Sequence, residues 1–239
     1  MTGISSPNHR AGASNSTPPR TKRDQVVSEL RRMIAGGELG RGSRVQQDML
    51  AARLKTSITP VREALRLLEA EGLLVGEPHR GVRVAEADYE KVKTVYLLRR
   101  LIEPYAMRRA ARRLSPRDLD LAAEMVDQME QAAATGDRGM LNDTNRRFHF
   151  LFYSRAGNDG LTAEIESLWQ QFPWDVLQVV PERADETGRE HRDMLDAARA
   201  GDADALARCT EEHLASSLYG LARHLIGHDV EDPFDIDVD

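Results

Sequence analysis

The sequence predicts a mainly α-helical protein in two parts, and three observations carry that expectation. Ala, Leu, Arg and Glu recur throughout while aromatic residues are only 5% of the chain, a bias toward helix over a β-sandwich. Apolar residues return at offsets of three and four over most of the length, the period of a helix with one buried face. The net charge of −6 is unevenly divided, with residues 1–84 carrying +6 and residues 85–239 carrying −12. A basic front half on an acidic back half suggests a nucleic-acid module joined to a second unit. Solvated charged faces are the bland alternative for the same imbalance.

At 239 residues and 26.8 kDa, the chain has room for one large domain or two smaller ones. A single cysteine excludes a disulfide framework and any CxxC metal knuckle. No apolar run approaches the ~18–20 residues that span a bilayer. The opening MTGISSPNHRAGASNSTPPR has no apolar stretch of the secretory type. A cytoplasmic protein without a membrane partner is the expectation.

Residues 1–20 are rich in Ser, Pro, Asn and Gly and read as a disordered arm. From Asp24, the residues Val26, Val27, Leu30 and Ile34 set a helical period that Gly36-Gly37 should end. Met49, Leu50, Ala52 and Leu54 mark a short second helix. A third begins near SITPVREAL, where Ser57 or Thr59 can cap it and Pro60 is tolerated in the first turn. The runs LLVGE and GVRVA flank the turn PHRG as two short strands. Three helices and a hairpin make residues 21–85 a winged helix-turn-helix. After Ala85 the spacing predicts helices at about 88–113, 116–134, 138–156, 160–179, 183–200 and 202–226. Residues 86–227 thus read as an all-α antiparallel helical bundle, and 228–239 as an acidic tail.

The third helix is the candidate recognition helix. Ile58, Arg62 and Arg66 lie four apart, on a face expected to oppose Val61, Leu65 and Leu68. Arginine can bond two guanine acceptors in the major groove or pair with phosphate. The hydroxyls of Ser57 and Thr59, with the helix N-terminus, suit phosphates. The wing tip His79-Arg80-Gly81 would set cations beside the minor groove. A helical hairpin with solvated arginines would share this pattern.

In the bundle, Asn145 and His149 are i, i+4 on one helix. His191 lies on an apolar face with Met194, Leu195 and Ala198, and His213 shares a stripe with Leu206 and Cys209. Taken singly, each histidine reads as a core residue bonded to a carbonyl. Taken together, three imidazoles and an amide oxygen make a candidate site for a divalent transition metal, zinc or nickel among others.

The motif SITPVREALRLLEAEGLL followed by HRGVRV resembles the GntR winged-helix repressors across residues 24–84. That resemblance implies a homodimer on double-stranded operator DNA, with Ser57, Thr59, Arg62 and Arg80 at matching positions. Ile58 and Asp48 depart from the basic residues common there. The bundle resembles the FCD ligand-binding domain through LRRLIEPYAMRRAA, NRRFHFLFYSRAGN, REHRDMLDAARAGD and EEHL. The metal ligands of that family, one Asp and three His, map to Asn145, His149, His191 and His213. Asn145 replaces the aspartate with an uncharged amide. The resemblance implies a small carboxylate effector held by the metal and by Arg99, for which an ion pair with Glu103 is the structural alternative. A ligand-responsive regulator is therefore expected. A metal-responsive regulator is a second reading, and a histidine-site metalloenzyme a third. Glu190, next to His191, is expected to point elsewhere.

Overall fold

The computed structural model describes residues 21–77, 81–174 and 180–233. The first helix, α1 (Lys22–Ala35), starts two residues before the apolar period because Thr21 caps it. Thr21 Oγ1 accepts from the Asp24 amide at 3.1 Å, and the Asp24 carboxylate accepts from the Thr21 amide at 3.1 Å, which satisfies two otherwise orphaned donors. Gly37, at φ +73°, turns the chain out of the helix. Next come β1 (Arg44–Val45), α2 (Gln47–Arg53), α3 (Ile58–Ala70), β2 (Leu74–Glu77) and β3 (Gly81–Val84).

The sheet order is β1-β3-β2, all antiparallel, with Arg44 opposite Arg83 and Leu74 opposite Val84. β1 is absent from the sequence reading because two residues show no alternation. Val26, Leu30, Leu50, Val61, Leu65, Leu68, Leu74 and Val84 close one buried core. Each fully buried aliphatic side chain there contributes about 1.5–3 kcal/mol.

The second part contains α4 (Tyr89–Ala111), α5 (Pro116–Thr135), α6 (Arg138–Arg155), α7 (Asp159–Gln171), α8 (Pro181–Arg199) and α9 (Ala203–Ile226). Helix α4 packs on α6, α7 and α9, while α8 packs on α5 and α9. Side-chain caps from Ser115, Asp137, Asn158 and Asp202 start α5, α6, α7 and α9.

The helix expected over 160–179 ends at Gln171. Phe172 is extended, with ψ 139°, because Pro173 excludes helical geometry from the residue before it. Residues 175–179 lie outside the described set. So do the expected arm and the last part of the acidic tail. Among the described residues, hydrogen bonds join the parts: Arg31 Nη1 donates to Gln170 O at 3.3 Å, and Asn142 Nδ2 donates to Ala35 O at 3.4 Å.

Candidate metal centre and nucleic-acid interface

On α3, Val61, Leu65 and Leu68 are buried, while Thr59, Arg62 and Arg66 are exposed. The apolar side anchors the helix and the guanidinium side faces solvent. Ser57 is the N-cap residue, yet its side chain makes no capping hydrogen bond. Arg62 Nε donates to Gln47 Oε1 at 3.3 Å, so the start of α2 steadies that arginine.

Ile58 is a correction. It is half-buried and packs against the core of the winged helix. At 100° per residue it lies only about 20° from Leu65 but about 40° from Arg62, so it belongs to the border of the buried side. Asp48 is exposed in the first turn of α2.

Gly81 has φ +92°, and a β-carbon there would stand 3.5 Å from the Arg44 guanidinium. Arg44 is thus an exposed cation beside the wing, and a two-residue strand without alternation carries no signal for it in the sequence. His79 and Arg80 lie outside the described residues.

In the bundle, α6 presents Asn145 and His149, α8 presents His191, and α9 presents His213. Their exposures are 8%, 0%, 0% and 4%. One ring nitrogen from each histidine lies within 4.8 Å of the others, and His149 Nε2 is 3.1 Å from His191 Nε2.

The outward nitrogens are already engaged. His191 Nδ1 is 2.6 Å from Thr187 O, and His213 Nδ1 is 2.7 Å from Glu190 Oε2. His149 Nδ1 is 3.3 Å from the Tyr153 hydroxyl, which donates its own proton to Glu103 Oε2 at 2.7 Å. A carbonyl and a carboxylate can only accept, and the Tyr153 oxygen has its proton committed. These partners favour a hydrogen on each Nδ1. Burial pushes His149 well below its ordinary pKa, and His191, His213 and Arg99 push it further in the same direction. The ring is held neutral.

Three ring nitrogens this close suit a cation between them. Outer-shell bonds to Nδ1 are also how metal-bound histidines are oriented. The buried Asn145 Oδ1 has no hydrogen-bond partner among the described residues. An orphaned amide oxygen one turn from His149 fits a fourth ligand. The residues present suit a divalent transition metal.

Glu190 is the second correction. It reaches the cluster by way of His213, because a residue adjacent on a helix is turned about 100° and here faces the flank of α9.

Arg99 is buried and bonded to Glu103, Nε to Oε1 at 2.6 Å and Nη2 to Oε2 at 3.2 Å. The rings of Trp169, Phe172 and Trp174 surround its guanidinium at 5.0, 4.6 and 5.0 Å. Glu103 Oε1 also accepts from Trp169 Nε1 at 2.8 Å. The carboxylate thus links the arginine to Tyr153 and His149. The i, i+4 spacing exposes the Arg99–Glu103 pair in the sequence, but nothing there announces Tyr153, Trp169 or the aromatic cage.

A winged helix whose third helix presents exposed arginines is joined to a helical domain enclosing a histidine cluster. Comparison with known proteins bears on this directly. Residues 22–84 match the model of the bacterial regulatory proteins of the gntR family, and residues 94–216 match the FCD domain. The chain belongs to the GntR family of transcriptional regulators and carries an FCD domain.

It is 28% identical over 198 residues to the HTH-type transcriptional regulator McbR of Escherichia coli (strain K12), covering 81% of this chain and 90% of that one. It is 29% identical over 213 residues to the probable D-xylose utilization operon transcriptional repressor of Paenarthrobacter nicotinovorans, covering 85% and 92%. The solved structure of E. coli McbR/YncC superposes with a TM-score of 0.75 at 27% identity, covering 85% and 98%. These relatives are regulators, not enzymes. No helix among the described residues is long and apolar enough to cross a membrane.

Proposed function

We propose that this protein is a ligand-responsive repressor, acting in the cytoplasm, that binds a palindromic operator as a homodimer and leaves it when a small organic acid enters the bundle. Residues 21–85 would be the DNA-binding unit and 86–227 the sensor. Arg62 and Arg66 would read or grip the major groove, Ser57 and Thr59 the phosphates, and His79, Arg80 and Gly81 the wing contact. Leu98, Leu101 and Tyr105, exposed on one side of α4, support pairing with a second copy.

One observation carries the sensory half of the reading: three buried histidines that each bring a ring nitrogen within 4.8 Å of the others. His149, His191, His213 and Asn145 would hold the metal, zinc or another divalent transition ion. When bound, the metal supplies a Lewis-acidic centre for an effector carboxylate. Arg99, bonded to Glu103 beside the cluster, would supply a second contact. The effector shifts DNA occupancy only by its unequal affinity for the DNA-competent and released arrangements.

Metal analysis of untagged protein, purified without chelator beside His149→Ala, tests this. The expected result is one equivalent per protomer in wild type and its loss in the variant, followed by carboxylate-dependent release of labelled operator. Absence of metal after reconstitution would overturn the metal-anchored site.

A metal-responsive regulator is the second reading. Helix α6 supports it, since it carries Asn145 and His149 and also reaches α1 through Asn142. Operator affinity that changes with metal alone would favour it.

A further inference from the structure

We infer that the acidic C-terminal residues 234–238 dock on their own chain, in the cleft between α4 and α9, as a strap that continues the path of the residues before them. Beyond α9 the chain doubles back along the bundle. Asp229 Oδ1 stands 3.5 Å from Arg223 Nη1, near the end of α9. Three residues on, Asp232 pairs with Arg100 of α4, which also donates to the Tyr96 hydroxyl at 2.9 Å. The Arg100 and Asp232 side chains are only 18% and 15% exposed, so this contact is seated in the bundle and is not a solvated surface pair. Helices α4 and α9 run antiparallel: Leu218 and Leu221 share a buried cluster with Val92 and Tyr96, whereas Asp204 pairs with Arg108. The step from Asp229 to Asp232 therefore leads from the start of α4 toward its end.

That direction enters a cleft of about 320 Å³ between Leu101, Pro104, Tyr105 and Arg108 of α4 and Ala207 and Glu211 of α9. Leu101 is 61% exposed at its rim and Tyr105 is exposed beside it. The sequence then reads Phe234, Asp235, Ile236, Asp237, Val238, Asp239, with an apolar residue at every second place. An extended chain sends alternate side chains to opposite sides, so Phe234, Ile236 and Val238 share the cleft while the acids stay at its rim. Arg100 and Arg108 are eight residues apart on α4, a rise of about 12 Å. Four extended residues beyond Asp232 span that distance at about 3.3 Å each. Asp235 and Asp237 thus come to either side of Arg108, whose pair with Asp204 is exposed. Glu211 repels the same acids and favours the α4 wall. Apolar period and charge both match this occupant. Leu98 lies about 60° beyond Leu101, away from the cleft, and stays open to a second copy.

The test uses the full chain with Phe234 replaced by the photoreactive p-benzoylphenylalanine, which keeps an aromatic ring at that place. Irradiation is followed by peptide mass spectrometry. Cross-links are expected within one chain, to peptides carrying residues 100–108 or 204–211. Leu101→Asp sets a carboxylate at the cleft opposite the acids of the strap and is expected to lower that yield about tenfold. Leu101 is exposed, so its replacement leaves the core alone. Circular dichroism checks the variant, and the map obtained with Leu101 in place decides without it. Cross-links to other segments, or none, would overturn the inference, as would a yield that Leu101→Asp leaves unchanged. A product of twice the chain mass, joined at the same cleft, would overturn it in favour of a second copy as the occupant.

Discussion

Glu103 has no exposure, and both of its carboxylate oxygens accept two hydrogen bonds from Arg99, Trp169 and Tyr153. It is paired with a buried arginine inside a filled hydrogen-bond shell. Replacing it with alanine strands the Arg99 guanidinium among three aromatic rings with no counter-charge. Glu103→Ala should lose about 3–5 kcal/mol of stability, the cost of breaking a buried pair from one side. Urea denaturation measures this, and a loss below ~1 kcal/mol would mean that Arg99 reaches another partner. At this scale the sequence shows the pair, since residues four apart on a helix touch. It does not show that Tyr153 and Trp169, fifty and sixty-six positions further on, complete the shell.

At the scale of the element, α5 illustrates how a cap is tied to a neighbouring helix. Asp118 accepts from the Ser115 amide at 2.9 Å and from Arg155 of α6 at 2.8 and 3.1 Å. The Arg155 bonds, then the Ser115 amide, hold its carboxyl well below the usual carboxylate range. A pKa lower in the folded than in the unfolded chain gives stability that is fully present above the ordinary Asp value, about 3.9, and fades as pH falls through and below it. Asp118→Asn should cost about 1–2 kcal/mol at neutral pH, with the gap to wild type closing below pH ~4. Thermal melts across that range decide it, and a gap unchanged at pH 3 would assign the effect to shape rather than charge. Ser115-Pro116 and its acid three residues on are legible as a helix start, whereas Arg155 as partner is not. Pro173, whose effect on Phe172 ends α7, was legible but outweighed by the apolar period that continues past it.

At the scale of the whole molecule, α1 makes two hydrogen bonds to the bundle among the described residues. Arg31 donates to Gln170 O at the end of α7 and also pairs with Glu71, the residue that closes α3. Asn142 of α6 donates to Ala35 O at the other end of the contact. Helix α3 and helix α6 thus each connect to α1 through a single side chain. Arg31→Ala combined with Asn142→Ala should leave metal binding intact and reduce the effector-induced change in operator affinity several-fold, within the usual range of coupling energies. Fluorescence anisotropy on labelled operator, with and without effector, measures it. An unaltered response would place the coupling elsewhere. Domain order is visible in the chain through charge and punctuation, but hydrogen bonds between residues more than a hundred positions apart are not.

By itself the sequence determined the helical period, the caps and breakers that bound most elements, the apolar face that anchors α3, and the histidines available to the bundle. These are local properties, set by side-chain chemistry within a turn or two. Only the tertiary structure decided that Ile58 belongs with the core, that Glu190 serves His213, that Arg44 stands by the wing, and that three imidazoles from three helices meet in one cluster. Each of those depends on which helices touch and at what rotation. That is settled by packing the whole apolar surface at once, and no window along the chain contains it.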